Sequence, residues 1–234
     1  MRITFFNIWH GKIWNGLQRF ISEESSKTDI FCFLEVDSKL QVKLTRLLPG
    51  FEPFYEEIMK TDYLDGEMDG QSIFVKNGIK TTCEGKEFIY RVTKDDAGIL
   101  QYIEINVNGI NIFIGGVHGK ALPGTKIDTP ARLKQSQKII DFFAKKKGLK
   151  IIGGDFNLNP DTKSVKMFEE AGYKNLIRDF DIKNTRNELS WKQFNNVQHF
   201  ADFCFVSPEV KVKSFEVPYN EISDHLPLIL DFEI

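Results

Sequence analysis

Short apolar runs that stop on a polar residue recur along the 234-residue chain and set the first limit on its fold. The segments "RITFFNIW" (2–9), "DIFCFLEV" (29–36), "QSIFVK" (71–76), "ILQYIEINV" (99–107), "INIFIGGVH" (110–118), "LKIIGGD" (149–155), "ADFCFVS" (201–207) and "HLPLILDFEI" (225–234) read as strands, by length and by β-branched and aromatic content. Asn108-Gly109, inside "VNGIN", carries the signal of a tight hairpin between two of them. Helical spacing is clearest over 130–147, where Thr129 can cap the start, Pro130 suits the first turn, and Leu133, Ile140 and Phe143 share a face. Weaker helical patterns cover 14–26, 38–48 and 162–171. Such a mixture specifies an α/β or α+β architecture, with mostly antiparallel sheets and helices packed outside them. No Pro/Gly/Ser-rich linker, repeat or low-complexity tract divides the chain, so one domain over 1–234 is expected.

A composition 41% hydrophobic with 21 Phe can fill a sizeable core. The net charge of −2 and pI near 6.1 do not indicate a broad polyanion-binding surface, although a local groove can still be basic. Cys32, Cys83 and Cys204 have no metal-type spacing, and the first and last lie in strand-like runs where a reduced, buried thiol is expected. The N-terminal "MRITFFNIWHGK" lacks a signal-peptide stretch and no run reaches transmembrane length, so a cytoplasmic, soluble monomer without membrane or obligate protein partners is expected.

Polar residues are informative through where they stand. Asn7, Glu35, His118 and Asp155 lie at or near the ends of apolar runs, Asp202 begins one, and Asp224-His225 leads into another. Strand ends are where side chains leave the core and converge. Carboxylates gathered there cannot all stay ionised without a cation or strong hydrogen bonds. An all-oxygen set without a Cys/His cluster favours Mg²⁺, or Mn²⁺, over zinc. His118 and His225 can donate to phosphate oxygens or move protons near neutral pH. Each residue alone has a structural explanation: "GGDFNLNP" as a strand, Asx turn and helix cap, Glu35 as a solvated strand end, "SDH" as a turn, His118 as a satisfied histidine. His10 and His199 are read as structural, and Lys145–Lys147 as a solvated helix end complementing the dipole.

In order along the chain, "FFNIW" (5–9), "FLEV" (33–36), "GGVH" (115–118), "GGDFNLNP" (153–160), "ADFCFVS" (201–207) and "SDHLPL" (223–228) resemble the endonuclease/exonuclease/phosphatase superfamily, with "GDFN" and "SDH" the most specific. The resemblance implies an α+β, four-layer α/β/β/α sandwich of two mixed, mostly antiparallel sheets flanked by helices. It also implies a metal-dependent phosphodiester hydrolase. Glu35 looks like the main metal ligand, assisted by Asn7, with Asp224 a second metal-side or hydrogen-bonding carboxylate. Asp155 looks like the residue that orients or deprotonates water, and Asn157 like its neighbour on the phosphate. His225 resembles the phosphate-contacting histidine, Asp202 its orienting partner, and His118 the histidine closing from the other sheet. Alternation faces Asp155 and Asn157 to one phosphate with Phe156 turned into the core, and Gly153 and Gly154 read as clearance for that phosphate.

Leu34 stands where the family often has Gln, which removes a supporting contact without removing the ligand. Arg91 and Tyr102 are the nearest guesses for a tyrosine or arginine that some members supply from middle strands. For substrate, a nuclease or related DNA/RNA phosphodiesterase is the first reading, because "NTRNELSWKQF" (184–194) places Arg186, Trp191, Lys192 and Phe194 before Asp202. Trp191 and Phe194 can equally pack under a loop. A small phosphate ester, such as an inositol phosphate or lipid headgroup, is the second reading, and a non-catalytic binding module the third.

Overall fold

Alternation along the central strands decides which layer each side chain joins. In the computed structural model, which describes residues 1–60, 68–90, 97–192 and 197–234, β1 (Arg2–Asn7), β2 (Ile30–Leu34), β3 (Phe51–Lys60) and β4 (Met68–Lys76) belong to one sheet with β11 (Lys211–Glu216) and β12 (Leu228–Glu233). Its order is β11-β12-β1-β2-β4-β3. The second sheet, β5-β6-β7-β8-β10-β9, is built from β5 (Lys80–Phe88), β6 (Ile99–Val107), β7 (Ile110–His118), β8 (Leu149–Asp155), β9 (Lys174–Asn175) and β10 (Asp202–Val206). The pairs β1–β2 and β7–β8 are parallel and the other pairings antiparallel.

Ile3, Phe5, Ile30, Cys32, Ile73 and Val75 project from the first sheet into the core shared with the second. Their neighbours Phe6, Phe31, Phe33 and Phe74 project the other way. There they pack on Leu17 and Ile21 of α1 (Trp14–Ser25) and Leu40 and Leu44 of α2 (Ser38–Leu47). Ile139 and Phe143 of α3 (Pro130–Ala144), with Val165 and Phe168 of α4 (Lys163–Glu170), cover the outer face of the second sheet. This is the four-layer α+β sandwich that the sequence implied. Phe supplies all but one of the largest fully buried side chains, each contributing roughly 1.5–3 kcal/mol; Arg132 is the exception.

Thr129 caps α3 as expected, accepting from Arg132 N at 3.2 Å, and Asp37 caps α2, accepting from Leu40 N at 2.9 Å. A short α5 (Leu176–Asp179) was not foreseen. Several strands are shorter than their apolar runs, β1 and β12 among them. β1 stops at Asn7 because Trp9 and His10 turn left-handed (φ 49° each), and β12 starts at Leu228, beyond Pro227. Cys32 and Cys204 are buried free thiols, their ionisation suppressed by burial. Among the described residues no helix is long and apolar enough to cross a membrane.

Candidate active site

Strand direction brings the polar strand ends to one rim. β1 and β2 run parallel with Asn7 opposite Leu34, so Asn7 and Glu35 leave the first sheet side by side. In the second sheet, parallel β7 and β8 pair His118 with Asp155, and antiparallel β10 begins at Asp202, opposite Asp155. β12 is antiparallel to β1, so the turn carrying Asp224 and His225 enters at the same rim.

Side chains there join across the two sheets. Asn7 Nδ2 donates to Glu35 Oε1 at 2.9 Å and to Asp155 Oδ2 at 3.4 Å, while Asn7 Oδ1 accepts from Trp9 N at 3.1 Å. His118 Nε2, from the second sheet, stands 3.7 Å from Glu35 Oε1, and His10 Nε2 3.4 Å from Glu35 Oε2. Asp155 Oδ1 accepts from Asn157 N at 2.8 Å, and its Oδ2 from Asn157 Nδ2 at 3.1 Å. His225 Nδ1 lies 2.9 Å from Asp202 Oδ2, and its Nε2 lies 3.6 Å from Asp155 Oδ2 and 3.9 Å from Asp224 Oδ2.

The segment 185–187 holds this arrangement in place. Thr185 Oγ1 accepts from Ala201 N and Asp202 N, and Thr185 O from Leu226 N at 2.8 Å. Arg186 forms an isolated β-bridge with His225, and its guanidinium donates to Asp224 Oδ2 and Gln198 Oε1, both at 3.0 Å. Asn187 Nδ2 donates to Ser223 O and Asn220 O. Trp191 packs edge-on to His199, ring centres 5.4 Å apart, and Lys192 is exposed. Arg186 therefore lies inside the site, whereas the described contact of Trp191 is to a neighbouring loop residue. Phe194 and Arg91 lie outside the described residues.

Charges and burial set the protonation states. Burial works against the His225 imidazolium, but Asp202, Asp224 and Asp155 outweigh it and push the histidine up to about 9. Burial also pushes the Asp155 carboxyl up, yet the charges of His225, Lys126, His118 and Arg186 hold it below the ordinary carboxylate range. Asp202 goes the other way, raised by burial and by Asp155. Lys126, whose Nζ donates to Asn157 Oδ1, is lowered by burial to about 8.

Among the described residues, the one group of three or more His, Cys, Asp or Glu side chains with donor atoms within 4.8 Å of one another is Asp155, Asp202 and His225. His225 Nδ1 is already committed to Asp202 there, and its Nε2 stands 3.6 Å from Asp155, so the trio is a hydrogen-bonded Asp202–His225 pair facing a third charge. Glu35 offers the better cation position. It is an oxygen donor facing an amide and two imidazoles, and no Lys or Arg pairs with it among the described residues. The donor chemistry fits a hard divalent ion at Glu35. Asn7 presents NH₂ to Glu35 and so braces it, and Asp224 is engaged by Arg186 on the His225 side.

Two sequence readings need correction. The glycines of "GGDFN" are not clearance for a phosphate. A Cβ on Gly153 would lie 2.6 Å from the Phe5 ring of the facing sheet, and one on Gly154 (φ 127°) would lie 2.5 Å from Val117 O. They let the sheets and strands approach beneath the site. Tyr102, paired with Gly115, faces the helices and packs on Phe142 at 4.7 Å, away from the rim. His10 and Lys126 were missed. Five of the seven described non-glycine residues with positive φ (Trp9, His10, Glu35, Lys126 and Asn157) cluster here, in a conformation that costs about 1 kcal/mol or more each.

Two six-stranded sheets meeting at a rim of carboxylates, amides and histidines define a sandwich of the phosphoesterase type. The sequence profile of the Endonuclease/Exonuclease/phosphatase family matches residues 4–225, and the chain belongs to that family. An endonuclease/exonuclease/phosphatase from Bacteroides vulgatus superposes with a TM-score of 0.80 at 18% identity, covering 100% of this chain and 98% of that one. The mannosyl-6-phosphatase of Bacteroides thetaiotaomicron gives 0.75 at 16% identity, with 100% of both chains covered. The human nocturnin catalytic domain, solved with a bound sulfate anion, gives 0.74 at 22% identity over 100% and 93%. No curated protein sequence matches the chain. Identities this low speak for the fold alone.

Proposed function

We propose that this chain is a divalent-metal-dependent phosphodiester hydrolase acting as a nuclease or related nucleic-acid phosphodiesterase. The observation that carries the reading is the chain Glu35–Asn7–Asp155–His225–Asp202, which joins both sheets within hydrogen-bonding or near-contact distances. Glu35 would hold Mg²⁺ or Mn²⁺, with Asn7 bracing it. When bound, the ion supplies positive charge where negative charge develops on the phosphoryl oxygens.

The residues of the chain do the rest. Asp155, its Oδ1 fixed by the Asn157 N–H, turns Oδ2 toward the place where water must attack, and orients that water and accepts its proton. As the water oxygen bonds to phosphorus, the ester bond to the leaving oxygen breaks. His225 carries a proton in its charged form and meets the growing charge on the phosphoryl oxygens. Asp202 holds the ring through Nδ1, so Nε2 points at the substrate side. His118 closes the site from β7, and Arg186 keeps Asp224 beside His225.

A small phosphate ester is the second reading, favoured by the full mutual coverage with the Bacteroides thetaiotaomicron mannosyl-6-phosphatase. A panel of single- and double-stranded DNA, abasic DNA, RNA, 5′-tyrosyl DNA, inositol phosphates and mannose 6-phosphate, each with Mg²⁺ or Mn²⁺, separates the two. The nucleic-acid reading expects turnover of a polymer and binding that weakens with salt. Turnover should fall at least 100-fold in Asp155→Ala and His225→Ala. Full activity in both variants would sink the mechanism.

A further inference from the structure

Between Ala121 and Ile127, in the loop joining β7 to α3, Lys126 alone is buried, at 4% exposure. The loop is pinned around it. The fully buried Arg132 donates to the carbonyls of Lys120, Ala121, Pro123 and Ile127. Gln198 Nε2 donates to Gly124 O, and Asp128 accepts from Lys163 N and from the N and Oγ of Ser164 at the start of α4. Asn159 N donates to Lys126 O itself at 2.8 Å. So many anchors on one loop hold a single cation in place.

A buried ammonium is costly unless a hydrogen-bond partner and an opposite charge compensate it. The partner is Asn157 Oδ1, and Asp155 is the leading counter-charge. That bond decides which way the amide faces. With its oxygen on Lys126, Asn157 turns Nδ2 to Asp155 Oδ2 at 3.1 Å and to Gly119 O at 3.2 Å. Turned over, the same amide would press its oxygen against a carboxylate and displace it.

We propose that Lys126 is a positioning residue for the hydrolysis: through Asn157 it fixes the Asp155 oxygen that meets the attacking water. The role rests on the reading of Asp155 given above and adds a residue to it. Lys126→Met keeps the aliphatic stem and removes the donor and the charge. With bis(p-nitrophenyl) phosphate and Mg²⁺ as probe, kcat is expected to fall roughly 10- to 100-fold while KM stays within about threefold. Added to Asn157→Ala, the same change should cost little more, because both act on one contact. An unchanged kcat, or fully additive losses, overturns the proposal.

A second readout does not depend on turnover. In ¹H–¹⁵N spectra of the metal-free protein, the Asn157 side-chain NH₂ signals, identified by their loss in Asn157→Ala, should shift in Lys126→Met. Lys126→Gln, which returns a neutral donor, should restore the signals and part of kcat, and it serves also should the Met variant fail to fold. Unmoved signals, or a Gln variant no better than Met, overturn the role. Moved signals in a protein that leaves the probe intact support the positioning and count against the phosphodiester reading.

Discussion

His225 sits inside the protein between Asp202 and Asp155, where burial alone would strip its proton and the surrounding carboxylates retain it. Its pKa rises from 6.5 to about 9 in the folded protein, so folding binds the proton more tightly than the unfolded chain does. A raised histidine stabilises fully below pH 6.5, and that contribution is lost as pH climbs toward 9. For a shift of that size the loss is on the order of 3 kcal/mol. Lys126, lowered from 10.5 to about 8, works in the opposite sense above pH 8, so the His225 effect is clearest from pH 6.5 to 8. Urea unfolding of the metal-free protein across that window should show stability falling, and less so in Asp202→Asn. A flat profile in the wild type would contradict the buried, charged histidine. This histidine was legible in "SDH" because a charged pair beside an apolar run calls for an explanation. Lys126 was not, since "ALPGTKIDTP" has the composition of an exposed loop and nothing local shows one lysine turned inward. His10 was hidden for a similar reason: its approach to Glu35 depends on a left-handed turn at a non-glycine residue.

The four strands that the sequence reading missed, β3, β5, β9 and β11, are the four edge strands. Every inner strand was found. Edge strands are kept polar or short to discourage pairing with other chains, which erases the apolar signal used to find strands. β3 carries Pro53 and three glutamates, β5 is mostly exposed, and β9 spans two residues. Inner strands, covered on both faces, announce themselves. Because the site is built from inner-strand ends, it was legible even where the sheet margins were not. The same inner strands carry the glycine requirement: at Gly153 the facing Phe5 ring leaves no room for a methyl group. Gly153→Ala should therefore destabilise by about 1–3 kcal/mol through overpacking. Phe5→Leu in the same chain should recover part of that loss. Denaturant midpoints of the wild type and these two variants check this, and a Gly153→Ala protein as stable as wild type would refute it.

Glu35 and Asn7 belong to one sheet and Asp155, His118 and Asp202 to the other, so the site exists only while the two sheets are packed together. The shared core of Ile, Val and Phe supplies that packing, and the rim places like charges across it. Any cation that binds the folded rim and not the unfolded chain must raise stability by mass action. At a concentration a hundredfold above its dissociation constant the gain is about 2.7 kcal/mol, or roughly 5–10 °C in Tm for a chain of this size. Thermal melts with and without Mg²⁺ or Mn²⁺ should show that gain in the wild type. Glu35→Gln keeps the shape and the bond to Asn7 while removing the charge, and should abolish most of the gain with little effect on the metal-free Tm. Trp191→Ala, away from the rim carboxylates, should leave the gain intact. An increment that survives in Glu35→Gln would move the cation off Glu35, toward the buried Asp155–Asp202–His225 group, whose donor atoms also lie close enough for a metal.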